Sequence, residues 1–207
     1  MPILVATRSA HKLREIREIL GPARASDLRS LADFGLPPDP AEDDIETHAT
    51  FLENALAKAA FFARRTGLPT IADDSGIVVH VLGGEPGVRS KRWSGRDDLH
   101  GQDLDDANNA LLIERLRGVP PQRRTAHYAC AAALVRPGAP PRAALATCNG
   151  TILDAPRGTG GFGYDPLFLL PDLGLTFGQL PPELKNLRSH RARAFRALAA
   201  ILPPPSP

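Results

Sequence analysis

The stretch Thr70-Ile-Ala-Asp-Asp-Ser-Gly-Ile-Val-Val-His-Val-Leu82 decides the fold. Apolar residues occupy both ends of it, and Asp73-Asp74-Ser75-Gly76 stands between them. The pattern predicts two short buried strands, Thr70–Ala72 and Ile77–Leu82, joined by an acidic turn. Adjacent carboxylates at a strand end repel each other, and a bound cation offsets that cost most simply. A solvated Asp-Ser-Gly turn is the alternative that these residues alone leave open.

Periodic apolar residues on either side of this stretch predict the other elements. The run Ile3–Ala6 is typical of a buried strand, and strands near Thr125–Val135 and Ala143–Gly150 are predicted to form a hairpin. The Pro-rich segment 23–44 is predicted to be a loop with one short strand. Helical spacing predicts four helices, at 12–20, 47–65, 103–117 and 189–202. Mixed helices and strands without an internal repeat predict an α/β fold around a mixed sheet.

Length, charge and composition exclude several classes of protein. A chain of 207 residues suits one two-lobed domain, which we place at 1–202, followed by a Pro-rich tail at 203–207 that we expect to fray. A net charge of +2 gives no argument for binding to nucleic acid or to a membrane. No apolar run reaches the roughly 20 residues of a membrane span, and no signal peptide is visible, so a cytoplasmic protein is expected. The two cysteines form no C-x-x-C pair, which disfavours a zinc site.

The loop Thr7-Arg8-Ser9-Ala10-His11-Lys12 links the first strand to the first helix. Backbone N–H groups at a helix N-terminus, with hydroxyls and a lysine beside them, suit a phosphate chain. The loop is not a Walker A motif, because the chain has no G-x-x-x-x-G-K-[ST] sequence. Thr7 as an ordinary N-cap is the alternative.

A second polar patch is predicted on the helix at 47–65. Thr50, Asn54 and Lys58 are spaced four residues apart and therefore share one face, and Glu46 precedes the helix. An Asn and a Lys one turn apart suit a phosphate group. A solvated face capped by Glu46 is the alternative.

The glycine loop from Gly158 to Gly163 carries an aromatic residue and is followed by another. It matches G-x-G-x-x-G, but Tyr164-Asp165-Pro166 follows where the dinucleotide fingerprint requires a helix, so that function is rejected. Aromatic residues make up only 5% of the chain, and Phe162 and Tyr164 flank a single glycine, Gly163. We expect them to stack on a base, with core packing as the alternative.

Cationic residues gather around the start of the last predicted helix. Lys185 precedes it, Ser189 is its predicted N-cap, and His190 and Arg191 fall in its first turn. Cations at a helix N-terminus oppose the helix dipole, so an anion is expected to bind there. A serine hydrolase is disfavoured, because Ser75 lies in no G-x-S-x-G elbow and the adjacent Ser189 and His190 point in different directions.

Taken together, these segments resemble the noncanonical purine nucleoside triphosphate pyrophosphatases, the inosine and xanthosine triphosphate family. The resemblance covers most of the chain except 23–44 and 137–146, and its motifs stand in the family's order. They are Ala6-Thr7-x-x-x-x-Lys12, Glu46-Thr47, Thr50-Phe51-x-Glu53-Asn54-Ala55-x-x-Lys58-Ala59, Ala72-Asp73-Asp74-Ser75-Gly76, Leu82-Gly83-Gly84-x-Pro86-Gly87-Val88, Ser90-x-Arg92-Trp93-Ser94-Gly95, Gly161-Phe162-Gly163-Tyr164-Asp165-Pro166 and Ser189-His190-Arg191.

The resemblance implies an α/β fold with a mixed sheet in two lobes, a nucleotide groove between them, and a homodimer. It implies Mg²⁺-dependent hydrolysis of ITP, dITP and XTP to the monophosphate and pyrophosphate. Asp74 would be the general base, with Glu46, Asp74 and Asp73 at the metal. Phosphates would be bound by Thr7, Lys12, Lys58 and Ser75, the purine ring by Phe162 and Tyr164, and its edge by Asp165, Lys185, His190 and Arg191. The substrate would also contact Arg8, Ser9, Ala10, His11, Asn54 and Gly163.

The sequence departs from the family pattern at two positions, and it leaves two rival classes of protein to consider. Ser9 stands where the family usually has Asn, which removes an amide donor, and His80 stands where it usually has Asp, which removes an acid. One rival is a pyrophosphatase of the Maf kind, which should lack the paired aromatics and the Ser-His-Arg string. The other is a non-catalytic nucleotide-binding protein, which would not need Glu46, Asp73 and Asp74.

Overall fold

The structure, a computed structural model, describes residues 2–42 and 44–202. The chain forms two compact units, each assembled from separate parts of the sequence. The first unit comprises Met1–Asp74, Cys130–Ala146 and His190–Pro207, and the second comprises Ser75–Ala129 and Thr147–Ser189. The predicted tail at 203–207 lies outside the described residues. Among those described, no helix is both long enough and apolar enough to cross a membrane.

Seven strands form one sheet in the described part of the chain, in the order β2-β1-β3-β4-β5-β6-β7. The strands are β1 Ile3–Val5, β2 Leu28–Ser30, β3 Thr70–Val79, β4 Thr125–Val135, β5 Arg142–Ile152, β6 Phe168–Leu170 and β7 Leu175–Thr176. The helices are α1 Ala10–Leu20, α2 Pro22–Ala25, α3 Phe51–Thr66, α4 Gly101–Arg115, α5 Pro182–Arg188 and α6 His190–Ala199. The sheet is mixed, as predicted: β1 is parallel to β2 and β3, and β6 is antiparallel to β5 and β7.

Strand β1 of the first unit is buried on both faces. Side chains alternate along β1, so that Ile3 and Val5 join a cluster with residues of α1 and α6. Leu4 and Ala6 join a different cluster, which contains residues of α3. Near-continuous apolar sequence is what a strand covered on both faces requires. The same alternation decides which helix each polar side chain of β3 meets.

The core of the second unit is rich in aromatic side chains. Tyr128 of β4 packs against Phe168 of β6 with ring centroids 4.7 Å apart, and Phe168 stacks on Phe177 at 5.2 Å. Leu112 and Leu116 cover this cluster from α4 and the turn after it. The cluster anchors the chain directly after the glycine loop.

The acidic stretch is one continuous strand, so the prediction of two strands and a turn is wrong. β3 runs from Thr70 to Val79 through the predicted turn. Gly76 permits this because a Cβ there would lie 2.3 Å from Ser90 Oγ and 2.6 Å from the Gly87 carbonyl oxygen. Ser90 Oγ instead accepts a hydrogen bond from the backbone N–H of Ile77 at 2.9 Å.

Hydrogen bonds at the helix ends explain why the bounds of two helices differ from the predicted ones. α3 begins at Phe51 rather than near 47, because the Thr50 side chain caps it by accepting from the Glu53 N–H at 3.2 Å. The last predicted helix, at 189–202, is present as α6, and α5, which the sequence did not predict, directly precedes it. The two helices are separated by Ser189, which is extended (ψ 158°) and whose N–H closes α5 on the Lys185 carbonyl at 2.9 Å. The short strand predicted within 23–44 is present as β2.

Candidate active site

Asp73 and Asp74 are neighbours on β3 that meet different helices. Successive side chains of a strand point to opposite faces of the sheet. Asp73 therefore lies on the face of Ile71, toward α1 and α6, and Asp74 on the face of Ala72, toward α3. Both are buried, Asp73 completely (0% exposed) and Asp74 nearly so (7%). Each acid consequently has its own set of partners.

Asp74 is fixed by Asn54 in the first turn of α3. Asn54 Nδ2 donates to Asp74 Oδ2 at 2.9 Å, while Asn54 Oδ1 accepts from the backbone N–H of His48 at 2.9 Å. Burial raises the pKa of Asp74, and the nearby Glu46 carboxylate adds to the rise against the opposing pull of Lys12 and Lys58. A carboxylate of raised pKa held in one orientation is suited to take a proton from water.

Glu46 and Lys58 form an ion pair within electrostatic reach of Asp74. Lys58 Nζ donates to Glu46 Oε1. Burial opposes charge on both side chains. Lys58, together with Lys12, nevertheless lowers the pKa of Glu46, and Glu46, together with Asp73, raises the pKa of Lys58. The Glu46 side chain is 31% exposed, against 13% for Lys58. The carboxylate is therefore accessible to a ligand.

Asp73 belongs to a buried network of charges in the first unit. Lys12 Nζ lies 3.2 Å from Asp73 Oδ2, and Arg191 Nε donates to the same oxygen at 3.2 Å. Arg191 Nη1 also donates to Glu15 Oε2 at 2.6 Å. Burial would raise the pKa of Asp73, but Lys12 and Arg191 outweigh it and hold the pKa well below its usual range. Two cations thus compensate two carboxylates inside the core.

This network places Arg191 among buried carboxylates, and its predicted role at the purine edge stays a prediction. The sequence assigned it to the purine edge, yet it is only 2% exposed and its guanidinium is bonded to Asp73 and Glu15. The anion expected near the start of the last helix is supplied by the protein itself. Arg191 is therefore a buried partner of Asp73.

The network also narrows the predicted metal site. Asp73 is fully buried and balanced by Lys12 and Arg191, so it is the least accessible of the three predicted ligands. Across residues 2–42 and 44–202, no group of three His, Cys, Asp or Glu side chains is arranged to hold a metal ion. Glu46 and Asp74 are the two predicted ligands that remain.

The loop before α1 is the helix N-terminus that the sequence predicts, although Ser9 rather than Thr7 caps the helix. Ser9 Oγ accepts from the Lys12 N–H at 3.3 Å, and Thr7 Oγ1 accepts from the Ser9 N–H at 3.2 Å. Ala10 and His11 begin the helix and are exposed. The hydroxyl that departs from the family pattern is thus used for capping.

Arg8 is held by several contacts within the protein, and its predicted role in substrate binding stays a prediction. Its guanidinium donates to both carboxylate oxygens of Glu42, at 3.0 and 2.5 Å. It also donates to the carbonyl oxygens of Leu36 and Pro37, each at 2.7 Å. These contacts hold the segment after β2 against the loop and occupy the guanidinium.

In the second unit, Asp165 organises the glycine loop. Its Oδ2 accepts from the backbone N–H of Phe162 at 2.8 Å and from Lys185 Nζ at 2.6 Å. Gly161 makes room for this carboxylate, since a Cβ there would lie 2.1 Å from Asp165 Oδ2. Lys185 Nζ also lies 4.8 Å from the centre of the Phe162 ring, a cation–π contact. Three predicted base-recognition residues, Phe162, Asp165 and Lys185, therefore form one group.

The two aromatic residues of the loop are not equivalent. Phe162 is partly exposed, whereas Tyr164 is 4% exposed and belongs to the core of the second unit. The Tyr164 hydroxyl donates to the Ser90 carbonyl oxygen at 2.8 Å, and burial raises its pKa. The core-packing alternative therefore holds for Tyr164, and Phe162 is the stacking candidate.

Three further site residues remain, and their roles in binding the substrate stay predictions. Ser75 is half-buried on β3, and Gly163 adopts a left-handed conformation with φ 62°. His190 begins α6 and is buried, at 3% exposure.

Sequence reasoning missed three residues that support the candidate site. Glu15 anchors Arg191, and Asp105 and Asn109 of α4 are bonded to the backbone of Gly163. Each is a polar residue within a helix, and such residues usually form a solvated face. The only sequence signal for these residues was their spacing. Glu15 lies three residues after Lys12, and Asp105 and Asn109 are four residues apart on α4.

The fold and this site define a class: a mixed-sheet α/β protein with buried carboxylates on the inner strand β3 and partly buried lysines on its covering helices. The Ham1 family profile matches residues 3–201. The chain belongs to the Ham1 family.

Named relatives are similar over nearly their whole length. A dITP/XTP pyrophosphatase of Geobacillus kaustophilus is 48% identical, over 95% of this chain and 91% of its own. One of Thermus thermophilus is 45% identical, over 99% and 95%. The solved Staphylococcus aureus Ham1 protein superposes with a TM-score of 0.81 at 32% identity, over 97% of each chain. A structure titled nucleoside-triphosphatase / dITP/XTP pyrophosphatase, from Mycobacterium abscessus, has a TM-score of 0.73 at 43% identity, over 98% and 100%.

Proposed function

We propose that this protein hydrolyses the noncanonical purine nucleoside triphosphates ITP, dITP and XTP to the monophosphate and pyrophosphate, and so removes them from the nucleotide pool. One observation carries the proposal: Asn54 fixes the Asp74 carboxylate within electrostatic reach of Lys12, Lys58 and Glu46. Such a group of charges suits a triphosphate and an attacking water. The relatives named dITP/XTP pyrophosphatase support the substrate class.

The chemistry divides between a base and fixed charges. Asp74 takes a proton from a water molecule while the oxygen of that water bonds to the α-phosphorus. The bond from the α-phosphorus to the bridging oxygen then breaks and releases pyrophosphate. Loss of a positioned general base typically costs about 10²–10⁴-fold in rate. Lys12 and Lys58 stabilise the negative charge on the phosphate oxygens during the step.

The residues at Asp74 fit a Mg²⁺ ion as the cofactor. Glu46 and Asp74 are close enough for one carboxylate to raise the pKa of the other, and a divalent cation relieves that repulsion. Mg²⁺ typically takes one or two carboxylates, several waters and phosphate oxygens, which matches two protein ligands. When bound, the ion would neutralise phosphate charge and acidify water.

Phe162 and Lys185 are proposed to recognise the base. The Phe162 ring offers a stacking face, and Lys185 has only donor N–H groups, three in number, of which Asp165 accepts one. Hypoxanthine and xanthine carry a 6-oxo acceptor, whereas adenine carries a 6-amino donor. A donor facing a donor in a buried site discriminates strongly, by about 10⁴-fold where both groups are desolvated.

We further propose a homodimer in the cytoplasm. The dimer rests on the family resemblance, and light scattering on the purified protein gives the mass directly. The location is supported by Cys130 and Cys148, which are buried as free thiols, the state that a reducing compartment maintains. Fractionation of cells that produce the protein tests the location.

Phosphorus NMR of an ITP reaction tests the reaction type. With Mg²⁺ present we expect IMP and pyrophosphate as the only primary products, and no turnover in excess EDTA, because Glu46 and Asp74 then lack the ion. Formation of IDP and orthophosphate would refute the proposed bond cleavage. Undiminished turnover in EDTA would refute the metal requirement.

A further inference from the structure

Helix α4 presents two side chains to the glycine loop of the second unit. Asp105 Oδ2 accepts from the backbone N–H of Gly163 at 2.7 Å, and Asn109 Nδ2 donates to the Gly163 carbonyl oxygen at 3.0 Å. Residues at i and i+4 lie on one face of a helix. One face of α4 therefore binds both the backbone N–H and the carbonyl oxygen of Gly163.

Hydrogen bonds rather than packing fix Gly163. It has φ 62°, and a Cβ built on it would meet no atom within 4 Å apart from those of its chain neighbours. Glycine is the residue with the greatest backbone freedom, so a glycine in open space is easily displaced. An acceptor that carries charge strengthens its hydrogen bond to about twice that of a neutral one, which makes Asp105 an effective restraint.

The position of Gly163 determines how the Phe162 ring is presented. On its far side, Tyr164 is anchored in the core by its hydroxyl bond to the Ser90 carbonyl oxygen. On its near side, the Phe162 N–H is held by Asp165. Gly163 joins these two fixed points, so rotation about its backbone would turn the Phe162 ring.

We propose that Asp105 and Asn109 are positioning residues for purine recognition, which hold Gly163 and through it the stacking ring of Phe162. Neither needs to touch the substrate. This inference rests on the proposed function, because it takes Phe162 as the residue that stacks on the base. It assigns to α4 a part in specificity for which its sequence pattern gives no clear signal.

Two ligands separate recognition of the base from recognition of phosphate. IMP carries the purine with one phosphate, whereas inorganic tripolyphosphate carries no base. Loss of one base stack costs roughly tenfold to a hundredfold in binding. We therefore expect Asp105→Ala and Asn109→Ala each to raise the Kd for IMP about tenfold, measured by calorimetry with Mg²⁺. The Kd for tripolyphosphate should stay within about twofold of the wild-type value.

Matched variants exclude a merely structural effect. Asp105→Asn keeps an acceptor oxygen and should recover most of the IMP affinity. Asp106→Ala removes the next residue of α4, an exposed acid that accepts from Gln102 Nε2 at 2.8 Å, and should change neither Kd. The double variant should lose less than the product of the single losses, because both side chains hold one residue. Circular dichroism verifies that each variant is folded.

Two results would overturn the inference: an unchanged Kd for IMP in both alanine variants, or equal losses for IMP and tripolyphosphate. The proposed function fails separately, if the wild-type protein binds IMP but releases no pyrophosphate from ITP, dITP or XTP. In that case the calorimetric comparison still decides the role of Asp105 and Asn109. A wild-type protein that does not bind IMP would refute both.

Discussion

Asp73 and Asp74 follow each other in the chain and have opposite surroundings. The alternation of β3 turns Asp73 toward Lys12 and Arg191, which keep it ionised, and turns Asp74 toward Asn54, where burial raises its pKa. One acid is thereby fixed as a structural charge, and the other is left able to accept a proton. The proposed mechanism depends on this difference between two identical side chains.

Asp74→Asn is expected to abolish turnover without unfolding the protein. The amide has nearly the same shape and can still accept from Asn54, but it cannot take a proton, so kcat should fall by about 10²-fold or more. Nucleotide affinity should change little, since Lys12 and Lys58 remain. Steady-state kinetics with ITP measures the loss, with Asp98→Asn, an exposed acid paired with Arg96, as the control. A variant with a tenth of wild-type kcat would contradict the assignment.

Arg191→Gln is expected to destabilise the fold. Removing the guanidinium leaves Glu15 buried without its cation and takes one of two cations from Asp73. Breaking such a pair typically costs about 3–5 kcal/mol in the free energy of unfolding. Urea denaturation measures it, against Arg193→Gln, an exposed arginine two residues along α6. Equal stability of the two variants would contradict the network.

Strands β3 and β4 bring together two histidines in the second unit. His80, directly after β3, places Nε2 3.0 Å from Nδ1 of His127 on β4, and its Nδ1 lies 3.0 Å from Thr125 Oγ1. Burial, and then the neighbouring His80, lower the pKa of His127 below its ordinary value of 6.5. The fold therefore favours the neutral form of His127.

This pair predicts a pH dependence of stability. Because the folded-state pKa is lowered, the contribution is fully present above pH 6.5 and is lost as the pH falls below that value toward the folded-state pKa. His127→Gln should lose less stability than the wild type between about pH 7.5 and about pH 5, by a modest amount because the ring is partly exposed. Urea midpoints at the two pH values give the difference. Parallel losses in both proteins would contradict the shift.

Local pattern predicted the elements well, and long-range pairing explains what it missed. The continuous apolar run Ile3–Ala6 predicted a buried strand, and β1 is a strand covered on both faces. The partnership of Arg191 with Glu15 spans 176 positions, so no spacing rule indicates it. Tyr164 and Phe162 look alike in the sequence. Tyr164 is buried because it belongs to the core formed around Phe168, whereas Phe162 is partly exposed.

For the molecule as a whole, we propose phosphate chemistry in the first unit and base recognition in the second. Asp74, Lys12 and Lys58 belong to the first unit, and Phe162 and Lys185 to the second. The order of the motifs along the chain could be read before the structure was known. The carboxylate partners of Arg8 and Arg191 could not be predicted in the same way, because they lie far away in the sequence.

The ratio of kcat/KM for ITP to that for ATP tests the central claim most directly. The ratio is measured by pyrophosphate release with Mg²⁺, on a panel that includes dITP, XTP and GTP. It should be large, because Lys185, the residue proposed to face position 6 of the purine, offers only donors. ITP, dITP and XTP should be cleaved well above ATP, with GTP intermediate or poor. Comparable kcat/KM values for ITP and ATP would contradict the proposed function and leave a general triphosphate pyrophosphatase.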